Sequence, residues 1–105
     1  MERRLNKKVT CKDGFTMSVQ ANEGAYCSPR IDKALKYTAV EVGFPSERED
    51  LLMEWAEEPE KPTCTVYGWV PAKVVTLVIA KHGGIVSGSL PTGIPYLQAQ
   101  DYGGI

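Results

Sequence analysis

Three cysteines, Cys11, Cys27 and Cys64, and one histidine, His82, carry the readiest chemistry in this 105-residue chain. They make the ligand count of a Cys3His zinc site, in which thiolates and a neutral imidazole surround the ion as a tetrahedron. Their separations of 16, 37 and 18 residues contain no paired-ligand knuckle. Cys11 and Cys64 alternate with apolar neighbours as core thiols do, so neither a metal nor another cofactor is expected. A thiol nucleophile would need Cys27, in Tyr26-Cys27-Ser28-Pro29-Arg30, to have its thiolate stabilised by His82 or Arg30. His82 is better explained by the helix end it marks, where a cation is favoured and the ring can bond free carbonyls. Paired-carboxylate hydrolysis has no better support, because the acids cluster on one segment. The pattern favours binding over catalysis.

Two groups of residues suit binding. The run Glu47 to Glu60 is acidic, and Glu54, Glu57 and Glu58 fall in the last turn of an expected helix, the unfavourable sign for that end, which calls for a basic group nearby. Such a surface can dock on a basic partner, and it also describes an ordinary solvated helix face. The second group is Tyr26, Arg30, Tyr67 and Trp69, whose aromatic faces and guanidinium suit the base and phosphate of a small nucleotide. No phosphate-binding glycine loop accompanies them, since Gly83-Gly84 follows a helix instead of preceding one.

Net charge is −1 and unevenly spread. Residues 1–36 carry eight Lys/Arg against four Asp/Glu, residues 37–62 two against eight, and residues 63–105 two against one. General nucleic-acid binding needs a broad basic surface, which this balance does not provide. No apolar run approaches the roughly 18 residues of a membrane span, and the basic start leads into polar sequence, so a cytoplasmic protein without membrane contact is expected. An odd number of widely spaced cysteines fits reduced cytosolic thiols.

The length supports one compact domain, residues 1–90, followed by a proline- and glycine-rich tail, residues 91–105, read as flexible or as an intersubunit arm. Lys8 to Ala21 reads as a hairpin turning at Asp13-Gly14 in a type I′ turn. Asn22 to Lys36 is a long connection with a helical turn near Asp32 to Lys36. Tyr37 to Phe44 alternates as a strand, with Thr38, Val40, Val42 and Phe44 on one face. Ser46 and Glu49 form a capping box for a helix starting near Glu47, with Leu51, Leu52, Trp55 and Ala56 as its buried stripe. Thr63 to Val70 is a strand that places Thr65, Tyr67 and Trp69 on one face. Pro71 and His82-Gly83-Gly84 bound a largely buried helix over Ala72 to Lys81 despite its β-branched content. Ile85 to Leu90 is a last edge strand. The fold class is therefore α+β: a small, mainly antiparallel sheet of four or five strands with two helices packed on one face. Exposed edges, the Tyr67 and Trp69 face and the tail suggest a homodimer.

The phrases VTCKDGFTMSVQA, YCSPR, YTAVEVGFPSEREDLL, EEPEKPTCTVYGWVP and VIAKHGG resemble a group of short accessory proteins encoded by tailed bacteriophages, over about Lys8 to Gly84. The resemblance brings no catalytic or ligand-binding residues. It implies a protein of the host-cell cytosol that binds and inhibits a host defence or regulatory component. A sponge for a small nucleotide signal is the alternative, and a zinc- or thiol-dependent enzyme the third reading.

Overall fold

The computed structural model describes residues 5–100. Five antiparallel strands form one sheet: β1 Val9–Cys11, β2 Thr16–Gln20, β3 Ala39–Gly43, β4 Val66–Pro71 and β5 Ile85–Ser87, in the spatial order β4-β3-β2-β1-β5. A 3-10 helix, Asp50–Trp55, joins β3 to β4, and α1, Ala72–Lys81, follows β4 directly. The protein is an α+β fold.

Strand alternation builds the core. Val9 and Cys11, Met17 and Val19, and Val40 and Val42 point inward from β1, β2 and β3, in registers that set Val9 against Met17 and Val19 against Val42. Both helices touch β4 and each other, adding Leu52 from the 3-10 helix and Val75, Val78 and Ile79 from α1 to the same cluster. Burying each such side chain is worth about 1.5–3 kcal/mol, so one shared core rather than helix propensity holds the β-branched α1 helical.

Four local features depart from the sequence pattern. The β1–β2 loop is not a type I′ turn, since Gly14 alone has positive φ, at 96°, and the Cys11 and Gly14 amides donate to Phe15 O and Cys11 O. That is the three-residue hairpin loop in which a left-handed glycine closes the turn. Strand β3 stops at Gly43, and Phe44 takes φ 49° and lies 55% exposed instead of on the inner face. The capping box does not form: the Ser46 hydroxyl accepts the Thr16 amide, Glu49 becomes the N-cap by accepting the Leu51 amide, and the helix is 3-10. Residues 91–100 are not a free tail, because Ile94 is buried and Ile85 pairs with Leu97 and Ala99 through two 2.8 Å backbone bonds, while residues 101–105 lie outside the described residues.

The segment 97–99 thus covers the outer edge of β5. At the other side of the sheet Ala56 bridges Tyr67, and the Glu57 amide donates to Val66 O at 3.0 Å. Both edges on which association was expected are therefore occupied by the chain itself at these positions.

Candidate functional site

Between its pairings Val40 with Val70 and Val42 with Tyr67, β3 has one residue, Glu41, where β4 has two, Gly68 and Trp69. This bulge breaks the two-residue period, so Tyr67 and Val70 both face the core at 0% exposure while Trp69 turns outward at 48%. Trp69 adopts φ 53°, a left-handed conformation that costs a bulky residue about 1–2 kcal/mol.

Tyr26 packs against this outward indole, with ring centroids 5.0 Å apart and planes 23° from parallel. Its position is set from three sides. The Trp69 amide, freed from the ladder by the bulge, donates to Tyr26 O at 2.9 Å. The Tyr26 amide donates to the Glu41 carboxylate at 3.0 Å. Gly68 leaves the room, since a Cβ there would stand 3.2 Å from the Tyr26 Cβ. Arg30 then lies with its guanidinium carbon 5.4 Å from the centre of the Tyr26 ring. The loop holding both is tied to β3, with the Ser28 amide donating to Ala39 O and the Thr38 amide to Ser28 O. The Cys27 thiol points inward and donates to Asn22 O at 3.2 Å.

The structure therefore brings together Tyr26, Arg30 and Trp69 and takes Tyr67 away from them. Tyr67 is a core residue: its hydroxyl donates to Pro62 O, and burial pushes its pKa up. Of the acidic residues, Glu54 lies on the 3-10 helix and Glu57 and Glu58 just beyond it, all three exposed. Lys61 is the basic group beside them, 4.0 Å from Glu58. Glu57 engages β4 at Val66 and Tyr26 engages it at Trp69, three residues further along the same strand.

A second cluster had no sequence signal, because its members are 33 and 69 residues apart. His82 Nε2 meets Glu49 Oε1 at 2.6 Å, and Nδ1 meets Asp13 Oδ2 at 2.6 Å. Glu49 Oε2 also accepts Lys81 Nζ at 2.9 Å, and the imidazole stacks on Phe15 at 4.0 Å. Burial disfavours the charged imidazole, but the two carboxylates outweigh it and raise the His82 pKa. Burial likewise works against the Glu49 charge, yet the Leu51 amide, Lys81 and His82 hold its carboxyl below the ordinary value. The Phe15 amide, followed by His82, does the same for Asp13. With both ring nitrogens engaged by carboxylates and the ring 6% exposed, His82 has no free nitrogen to activate a nucleophile. Its partners are side chains instead of the free helix carbonyls expected from the sequence.

Cys11 and Cys27 are buried and Cys64 is exposed. Burial, with the nearby Asp13 charge, pushes the Cys11 thiol up to about 11. Among the described residues no group of three or more His, Cys, Asp or Glu side chains is placed to hold a metal ion, and no helix is long and apolar enough to cross a membrane. No family model, no curated protein and no solved structure matches this chain.

Proposed function

We propose that this chain acts by stoichiometric binding and not by catalysis, with the surface around Trp69 as its contact. The observation that carries this reading is the half-exposed indole held in a left-handed backbone conformation, stacked on Tyr26 beside Arg30. The bulge itself serves the core by burying Tyr67 and Val70, but a glycine would take the same φ without strain, so the exposed indole is not what the core requires, and strain of this kind concentrates at working surfaces. Trp, Tyr and Arg are also the residues that dominate protein interfaces when clustered.

The exposed Glu54, Glu57 and Glu58, whose segment bonds the same strand at Val66, add a negative charge that suits a partner with a basic surface. The resemblance to accessory proteins of tailed bacteriophages supplies the context: the partner is a host defence or regulatory protein in the cytosol, inhibited by being occupied. A nucleotide sponge is the second reading, supported by the Arg30 guanidinium beside the Tyr26 ring, where a phosphate and a base could be held together.

Affinity capture from a bacterial lysate tests both. The wild-type chain should retain a protein that Trp69→Gly and the triple charge reversal E54K/E57K/E58K both lose. Equal capture by all three chains would remove the edge as the docking face. A nucleotide that copurifies with the wild type, survives dialysis and is absent from Arg30→Ala would establish the sponge instead.

A further inference from the structure

Away from Trp69, the outer face of α1 and the segment 93–95 flank an open groove of about 570 Å³. Ala72, Leu77, Gly93 and Pro95 give it an apolar lining, and Leu77 is 56% exposed although it sits in an ordered helix. The charged residues that line it are Lys36, from the loop before β3, and Lys73, from the first turn of α1. Neither lysine makes an ion pair or hydrogen bond among the described residues. The hydroxyl of Thr76, the remaining polar side chain of the wall, donates its proton to Ala72 O at 3.2 Å. The far wall is fixed: Gly93, at φ 101°, lies so close to Tyr37 that a Cβ would come within 2.6 Å of its carbonyl oxygen.

The geometry points to one class of occupant, a single-chain anionic amphiphile. Its carboxylate or phosphate head would sit between Lys36 and Lys73, and its apolar body would cover Ala72, Leu77 and Pro95. Charge sign decides the head, because two lysines line the groove and no acid does. Size decides against a protein partner, which needs about 800 Å² from each side, whereas the groove falls within the roughly 300–1,000 Å³ of small-molecule sites. Besides Thr76, whose hydroxyl proton is committed to Ala72 O, the lining offers no neutral hydrogen-bonding side chain, which disfavours a polar body such as a sugar or nucleoside.

Octanoate and octyl phosphate are suitable probes, titrated as monomers into the full chain labelled with nitrogen-15. Saturable shifts confined to residues near Ala72 to Leu77 and Gly93, with octanol binding more weakly than either anion, would support the site. Lys36→Ala with Lys73→Glu should weaken binding about tenfold, the size expected for two solvent-exposed charge contacts. Leu77→Asp, at a half-exposed position that leaves the core intact, should abolish it. Shifts elsewhere, affinity unchanged by the lysine substitutions, or no saturation would overturn the assignment. Binding to phosphatidylglycerol vesicles with none to the monomers would also overturn it, since the site is assigned to a free amphiphile and not to a membrane surface.

Discussion

Trp69 keeps a left-handed backbone at a cost of about 1–2 kcal/mol and recovers about 0.5–1.5 kcal/mol from its stack on Tyr26, so the residue is close to neutral for folding. Trp69→Gly removes both terms. Its free energy of urea unfolding should therefore stay within about 1 kcal/mol of the wild type while capture of the partner is lost. Tyr67→Ala, two positions earlier, empties a wholly buried site and should cost about 3–5 kcal/mol. Similar losses for the two variants would show that Trp69 is a folding residue and not a binding one. The cysteines separate in the same way. Cys64 is exposed, while Cys11 is buried with its pKa at about 11 and Cys27 is buried against the Asn22 carbonyl. A disulfide reagent applied to the native chain should titrate Cys64 rapidly, and Cys64→Ser should abolish that fast phase; a second fast thiol would mean that the loop around Cys27 opens.

Three elements are pinned where Asp13 of the β1–β2 loop and Glu49 at the head of the 3-10 helix meet His82 at the end of α1. The His82 pKa is raised, so its contribution to stability is complete below its ordinary value of 6.5 and fades as pH climbs through the raised value. The lowered carboxyls of Glu49 and Asp13 contribute fully above their ordinary values of 4.5 and 3.8 and lose that contribution as pH falls through the lower folded ones. Stability from this cluster should thus be greatest between about pH 4.5 and 6.5 and decline on the alkaline side, read as urea midpoint against pH. His82→Gln should lower the unfolding free energy by about 1–3 kcal/mol near pH 6, since it leaves Glu49 with only the Leu51 amide and Lys81, and should flatten the alkaline limb. An alkaline limb that persists in His82→Gln would assign it to other groups. The same cluster explains which elements could be read from the chain. Strands β2 and β3 and the bounds of α1 rest on local signals, alternation and the Pro71 and Gly83-Gly84 punctuation, and these are legible. The helix expected from Ser46 and Glu49 is not, because the Glu49 carboxylate is claimed by His82 and Lys81 from far along the chain. Likewise Tyr67 and Trp69 read as one face because alternation carries no trace of a bulge beyond Gly68, whose lack of a side chain admits the Tyr26 ring.

Across the molecule, the final described segment completes the sheet instead of leaving it. The Thr92 carbonyl accepts the Tyr37 amide, the Thr92 hydroxyl donates to Ala34 O, and Ile94 is buried. Gly84, at φ 90°, lets the chain pass so close that a Cβ would stand 2.7 Å from the Ala99 Cα. Deleting residues 91–105 therefore does two things at once. It uncovers Tyr37 and removes the buried Ile94, a loss on the order of 2–5 kcal/mol by analogy with large-to-small core changes. It also frees the Ile85 amide, which now donates to Leu97 O, and the Ile85 carbonyl, which accepts from the Ala99 amide, and turns β5 into an open edge that can pair with another copy. The truncated chain should unfold at lower urea and show a mass by light scattering that rises with concentration above that of the full chain. Gly84→Ala, which crowds Ala99 without shortening the chain, should show a weaker form of both effects. If truncation leaves stability unchanged and lowers the mass, the segment acts between subunits and not within one. If it changes neither, β5 needs no cover and the edge argument fails.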